Sequence, residues 1–321
     1  MLGGLFALLA AVTFAWTNAA VRRGVITGSP TQATTLSVPV GIPVFFAALA
    51  LSGSPLLFTG LSHRSTLVFA FVGVSHFIVG RYCNYRAIKA IGTNLAGPVS
   101  QFNLVVSLAL AIAFLGEVLT PLRILGILLI VVGPALAPRH GARRTAEQAS
   151  APQFTPRMAE GYAFAFLAAL CYGASPPLVR FAVDGQGLSA GLAGGVIAAG
   201  SATAFALVML LAPGARGQLR DIDPEAAKWF LSSGMIVYVS QIFAYMAVAL
   251  APVTVTAPII GLNHVFRLHF SRWLNPDHEV FGSQVIAATA VSFLGVVVLS
   301  ASLEALPLPP EWLAALNWHW P

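Results

Sequence analysis

Residues 66–91 read TLVFAFVGVSHFIVGRYCNYRAIKAI. The first fourteen of them, Thr66–Val79, contain no Asp, Glu, Lys or Arg. Arg81, Arg86 and Lys89 then follow within nine residues, and a second apolar run, VVSLALAIAFL at 105–115, takes over. An apolar stretch of about 20 residues spans a hydrocarbon core as a helix. An arginine well inside such a helix costs on the order of 2–3 kcal/mol. The stretch therefore points to membrane helices and at the same time asks what Arg81 is for.

The composition agrees. The chain is 57% hydrophobic and 9% charged, with a mean hydropathy of +0.82. A soluble domain of this length covers itself with about a quarter charged residues, which this chain lacks. In lipid every backbone polar group must pair within its own segment, so the expectation is an all-α, polytopic membrane protein. Cys83 and Cys171 both sit in apolar runs and read as buried thiols rather than a disulfide.

Punctuation places ten transmembrane helices near 2–21, 31–51, 66–87, 93–115, 120–137, 160–181, 188–212, 226–249, 252–273 and 280–302. Between the fifth and sixth lies APRHGARRTAEQASAPQFTPR, residues 137–157, a polar stretch rich in Ala, Pro and Arg that reads as a linker. The expected organisation is a first repeat at 1–137, a linker at 138–158, a second repeat at 159–302 and a C-terminal tail at 303–321. The tail carries Trp312, Trp318 and Trp320 and reads as an interfacial anchor. The halves match each other. Shifts of 158 to 162 residues bring Arg22 onto Arg180, Tyr85 onto Tyr245, Pro98 onto Pro258, Asn103 onto Asn263, Glu117 onto Glu279 and Gly133 onto Gly295. Five spans per half, an odd number, make the repeats inverted. In carriers of that plan the substrate sits at the repeat interface.

The stretch LGEVLTPLRILGILLIVVGPAL at 115–136 resembles a helix hairpin of the EamA-like family in the drug/metabolite transporter superfamily. The second copy, NPDHEVFGSQVIAATAVSFLGVVVLSA at 275–301, is looser: Pro276, Asp277 and His278 precede its Glu279. The resemblance implies ten helices in two inverted five-helix repeats and a transport function. It leaves the substrate open among amino acids, sugars, other metabolites and drugs.

Lys and Arg set the expected orientation. Arg22, Arg23, Arg86, Lys89, Arg139, Arg143, Arg144, Arg157, Arg216, Arg220, Lys228 and Arg272 follow odd-numbered spans. Only Arg64, Arg180 and Arg123 belong to the other side. The positive-inside rule then puts the linker in the cytoplasm and both termini outside. The resemblance implies the opposite orientation, with cytoplasmic termini.

Arg81 and Arg267 remain inside spans. Each is followed five residues later by a second arginine near the helix end, Arg86 or Arg272. That spacing predicts a shared depth, about 8 Å from the end at 1.5 Å per residue. Two readings stand: an anion site, or snorkelling to the nearby interface. Tyr85 lies on the face of Arg81, and the repeat puts Gln241 and Tyr245 at the equivalent positions. Thr256, Asn263, Arg267 and Ser271 form one stripe, and Ser100, Asn103 and Ser107 another. Such stripes either line a substrate path or join helices. His76, His264 and His269 are proton carriers, substrate contacts or core histidines. The candidate substrate-binding set is therefore Arg81, Tyr85, Asn103, Gln241, Tyr245, Asn263 and Arg267, with His76 and His264 as further contacts.

All eleven acids fall in loops or at span ends. A cationic substrate would find no counter-charge in the spans, whereas an anion would find two guanidinium forks. Glu117 and Glu279 are expected to cap the helices they begin. No P-loop, metal-spaced His/Cys cluster or nucleophile motif is present, so neither enzyme chemistry nor a cofactor or metal is expected. The expected partners are the lipid bilayer and a small, anionic molecule carrying a carboxylate or phosphate, with no nucleic acid; the chain is a monomer or homodimer. The expected place is the cytoplasmic membrane of a bacterium. An exporter of neutral or zwitterionic metabolites such as amino acids, and a non-transporting scaffold or subunit, stay open as alternatives.

Overall fold

The computed structural model describes residues 2–54, 60–115, 120–136, 154–183, 187–211, 215–250 and 259–300. The linker residues 138–153, Glu117, Pro258 and the Trp-rich tail lie outside them. The described residues form helices and no strand. In chain order these are α1 Leu2–Thr27, α2 Pro30–Ser37, α3 Gly41–Leu51, α4 His63–Val72, a π-helical segment Gly73–Gly80, α5 Arg81–Ser100, α6 Phe102–Leu115, α7 Pro121–Ala135, α8 Met158–Val183, α9 Gly187–Met209, α10 Ala215–Arg220, α11 Pro224–Leu250, α12 Asn263–Leu274 and α13 Ser283–Ser300. Six stretches are long and apolar enough to cross a membrane: Leu2–Thr27, Pro30–Leu51, His63–Ser100, Met158–Val183, Ser189–Met209 and Pro224–Ala247. Ile124–Gly133 and Ser283–Val298 are shorter apolar helices.

The helices are lined inside out relative to a soluble bundle. On α1 the exposed side carries Leu2, Leu5, Leu8 and Leu9, while Ala7, Ala10, Ala11, Ala15, Ala19 and Ala20 are fully buried. Large apolar side chains cost nothing against lipid, and small ones let helix backbones approach one another. Gly133 of α7 sits against Ser292 of α13, and Gly295 of α13 against the Gly126 and Ile130 backbone of α7. The elements pair selectively. α1 packs on α11 and α12, α8 on α5 and α6, α3 on α9, and α7 on α13.

Helix ends follow local chemistry. Ser29 accepts from the Gln32 amide while the Gln32 side chain accepts from the Ser29 amide, and Pro30 opens the helix. Ser62 caps α4 through the Ser65 amide.

The stretch 66–91 holds two departures from a plain span. First, Gly73–Gly80 winds as a π-helix. Second, α5 breaks at Gly92, whose backbone has φ 79° and ψ 169°. Contacts show that the chain reverses there. Asn18 meets Asn84 and Arg22 meets Ile88, so residues 81–91 run parallel to α1. Trp16 meets Phe270 and Ala19 meets Asn275, so α12 also runs parallel to α1. Yet Thr93 meets Ser271 and Gly97 lies against His264 and Arg267, so residues 93–97 run antiparallel to α12. The third and fourth spans expected from the sequence therefore separate at Gly92.

Candidate functional site

Arg81 leaves the C-terminal end of the π-segment. It is 3% exposed and points into the bundle, not toward an interface. Its guanidinium lies over the Tyr238 ring at 4.6 Å and faces Phe77 at 5.3 Å. Cation–π contact of this kind offsets part of the desolvation of the cation. Its polar partners are the Tyr238 hydroxyl and Ser37 Oγ, the latter a long contact at 3.4 Å, and Ser37 in turn meets the Tyr85 hydroxyl at 3.4 Å. Tyr238 donates to the Val38 carbonyl at 3.0 Å, which orients its ring under the arginine. Gly41 makes that seat: a Cβ there would enter the Tyr238 ring. Tyr172 of α8 completes the surround. Among the described residues no carboxylate pairs with Arg81.

Around this arginine the bundle is aromatic. Phe45 of α3 packs against Tyr238 and Tyr245 of α11, and Gln241 hydrogen-bonds Tyr245. His76 contacts the rings of Phe77 and Tyr172, and its Nδ1 lies 2.7 Å from Ser175 Oγ. The predicted residues Arg81, Tyr85, Gln241, Tyr245 and His76 are thus brought into one region. Sequence reasoning missed Ser37, Phe77, Tyr172, Ser175 and Tyr238. Three of these carried a readable signal. Tyr238, Gln241 and Tyr245 repeat at i, i+3 and i+7, and Tyr172 and Ser175 at i and i+3, so each set shares a helix face.

Arg267 belongs to a second cluster. It is 5% exposed and donates to the Thr93 carbonyl at 3.4 Å and to Asn263 Oδ1 at 3.2 Å. Its Nε and the Nδ1 of buried His264 have no protein partner. Asn263 is held by the Ile260 carbonyl. Asn103 is half-buried, and its backbone carbonyl lies at Gly173 of α8, away from Arg267.

Two expectations are corrected here. Arg81 precedes the Gly92 turn by eleven residues, roughly 16 Å at 1.5 Å per residue, while the Arg267 guanidinium sits on Thr93 and Gly97, within about 8 Å of that turn. The backbones of the two arginines therefore do not share a depth, and their guanidinium groups hold different hydrogen-bond partners; Tyr172 lies in electrostatic reach of both. The expected absence of a buried acid also fails for Arg267. Glu279 is buried, and instead of capping α13 it caps the broken hairpin. Its Oε1 accepts from the Thr93 amide and hydroxyl, both at 2.7 Å, and its Oε2 from the Asn94 amide at 3.1 Å. The helix dipole beginning at Thr93 favours a carboxylate there. Thr93 then links Glu279 to Arg267.

Glu279 also anchors a latch. Arg22 of α1 lies 3.7 Å from it and donates to the Ile88, Lys89 and His278 carbonyls. Lys89 reaches the Gly28 carbonyl, and the Arg157 amide the Ala90 carbonyl. Partial burial first, then Arg22 and Arg23, hold the His278 imidazole below its usual 6.5. Among the described residues no group of His, Cys, Asp and Glu is placed to hold a metal.

Residues 1–137 match the model of the EamA-like transporter family. A solved crystal structure is similar over 93% of this chain and 98% of its own, with a TM-score of 0.60 and 15% sequence identity. That likeness extends the shared fold beyond the first half and speaks for fold alone. No curated protein matches the chain.

Proposed function

We propose that this chain, whose residues 1–137 match the EamA-like transporter family, is a secondary-active carrier of that family for small metabolites that bear one negative charge. It works by alternating access between two inverted five-helix repeats, ten helices in all, at 1–137 and 159–302. The helix pairing supports the repeats. Exchanging α1 with α8, α3 with α9, residues 81–91 with α11, α6 with α12 and α7 with α13 turns the packing of α1 on α11 into that of α8 on α5 and the packing of α1 on α12 into that of α8 on α6, and leaves the pairs α3–α9 and α7–α13 as they are. Asn103 and Asn263 are then repeat equivalents.

The observation that carries the substrate class is Arg81: buried, facing rings from α11 and the π-segment, and without a carboxylate partner among the described residues. A guanidinium in that setting is complementary to an anion that supplies the missing charge. One cation among negatively polarised ring faces suits a monoanion such as a carboxylate better than a doubly charged phosphate ester. A zwitterion would bring an ammonium group that finds no acid near Arg81. A scaffold gives no reason for polar groups of both halves, Ser37, Arg81 and Tyr85 with Tyr172 and Tyr238, to converge. No bond is made or broken in this function, and no cofactor takes part. The bilayer is the cytoplasmic membrane of a bacterium.

The test uses four small aromatic probes on the purified protein: phenylacetate, phenyl phosphate, phenylalanine and phenethylamine. Phenylacetate is expected to bind and to raise the melting temperature most. Arg81→Lys is expected to lose roughly ten- to hundredfold in affinity, because a point charge replaces a fork whose charge-assisted bond is worth about 1.5–3 kcal/mol. Phenethylamine binding best, or phenylacetate affinity unmoved by Arg81→Lys, overturns the reading.

A further inference from the structure

In an α-helix, residues five apart leave the axis about 140° from each other, at 100° per residue. The π-segment changes this. Its hydrogen bonds run from residue i to i+5, and the Arg81 amide donates to the His76 carbonyl. His76 and Arg81 are thereby stacked toward one side of the chain, and the guanidinium is in electrostatic reach of the imidazole. Phe77 touches both, with its ring centroid 5.0 Å from that of His76.

We infer that His76 is a proton-binding site coupled to the anion site, so that the carrier moves one anion and one proton together. The inference rests on the anion reading of Arg81. Burial first, and then the charge of Arg81 while it has no counter-ion, oppose a cation at His76. When an anion pairs with the guanidinium, that repulsion is neutralised and the imidazole accepts a proton. The proton comes from the solution on the side to which the site is open, adds to Nε2, and leaves with the anion on the other side. The charged pair and the added proton cross as a neutral load on top of the fixed Arg81.

The hydrogen bonds around His76 accommodate the imidazolium. In the imidazolium both ring nitrogens are donors, so Nδ1–H donates to Ser175 Oγ, 2.7 Å away, and the Ser175 hydroxyl donates to the Cys171 carbonyl at 3.3 Å. Nδ1 is thus satisfied as a donor, which leaves Nε2 as the position that gains and loses the proton. The neighbouring ionisable groups are few. α8 turns Tyr172 and Cys171 toward the segment, α5 supplies Arg81 and Tyr85, and α11 supplies Tyr238. α9, packed along the segment, has no ionisable residue between Gly187 and Met209, and α4 has only His63 and Arg64 at its far end. His63 stands at the opposite end of α4, so His76 is the histidine at the segment and proton exchange falls to it.

The experiment measures proton uptake when phenylacetate binds the purified protein. Heats of binding are compared near pH 7 in two buffers of different ionisation enthalpy. Wild type is expected to take up a large fraction of one proton per phenylacetate bound. His76→Gln is expected to bind phenylacetate with uptake reduced at least fivefold, and Ser175→Ala to show a smaller reduction. His269→Gln, at an exposed position of α12, is expected to match wild type. Binding without uptake in wild type, or full uptake in His76→Gln, overturns the coupling while leaving the anion site standing. If none of the anionic probes binds, both fall together. If His76→Gln does not fold, the wild-type and Ser175→Ala uptake values decide alone.

Discussion

Arg81 and Arg267 look alike in the sequence and differ in the structure. Both are charged, both lie in apolar spans, and both precede a second arginine by five residues. What separates them is a residue far away in sequence: Glu279 reaches the Arg267 cluster through Thr93, and among the described residues no acid reaches Arg81. The presence of a buried charge was legible from composition alone. Its partner was not, because Glu279 follows a Pro-Asp-His segment that gives it the look of an exposed helix start. The Arg22–Glu279 pair, with side chains 3% and 0% exposed, yields a prediction. Removing one member of a buried pair leaves the other charge uncompensated and costs about 3–5 kcal/mol. Glu279→Ala should therefore destabilise the protein in detergent by that order. Arg22→Ala with Glu279→Ala should cost clearly less than the sum of the two single changes, since no lone charge remains. Strict additivity in thermal or denaturant unfolding would show that the two side chains act independently.

At the scale of elements, hydropathy located the apolar stretches and their order, and the structure holds six stretches long and apolar enough to cross a membrane, one of which, His63–Ser100, runs across the expected boundary between the third and fourth spans. It did not show how the third span is built. The π-segment between Gly73 and Gly80 has no hydropathic signature, because widening a helix by one residue per turn leaves the residues as apolar as before. The hairpin break at Gly92 was legible as a span boundary but not as a socket for a carboxylate. With φ 79° and ψ 169°, Gly92 occupies a region that is essentially restricted to glycine, at a cost of about 1–3 kcal/mol for other residues. A Cβ would also strike Glu279 Oε2. Gly92→Ala should thus lower the melting temperature by at least the backbone cost and weaken the latch. Gly191→Ala, in helical α9 with open space where a Cβ would stand, should be neutral or slightly stabilising by helix propensity. Equal melting temperatures for the two variants would mean that the turn at Gly92 adapts, and that Glu279 does not depend on it.

For the whole molecule, the structure gathers basic groups at one end. Arg22, Lys89 and Arg157 meet around the Gly92 turn, and Arg86 pairs with Glu160 one turn away. These are the groups whose count placed that end, and the linker beside it, in the cytoplasm. The latch of Arg22 and Glu279 joins α1 and the Gly92 hairpin to the α12–α13 connection at the basic end. In the proposed carrier it would seal the cytoplasmic face if that end is cytoplasmic, and the outer face in the opposite orientation. A single cysteine distinguishes the two. Thr145→Cys, in a background where Cys83 and Cys171 are serine, should resist a membrane-impermeant maleimide in intact cells and react once the membrane is permeabilised. Reaction in intact cells would place the linker outside. The latch would then seal the outer face, and positive charge would not have set the orientation of this chain.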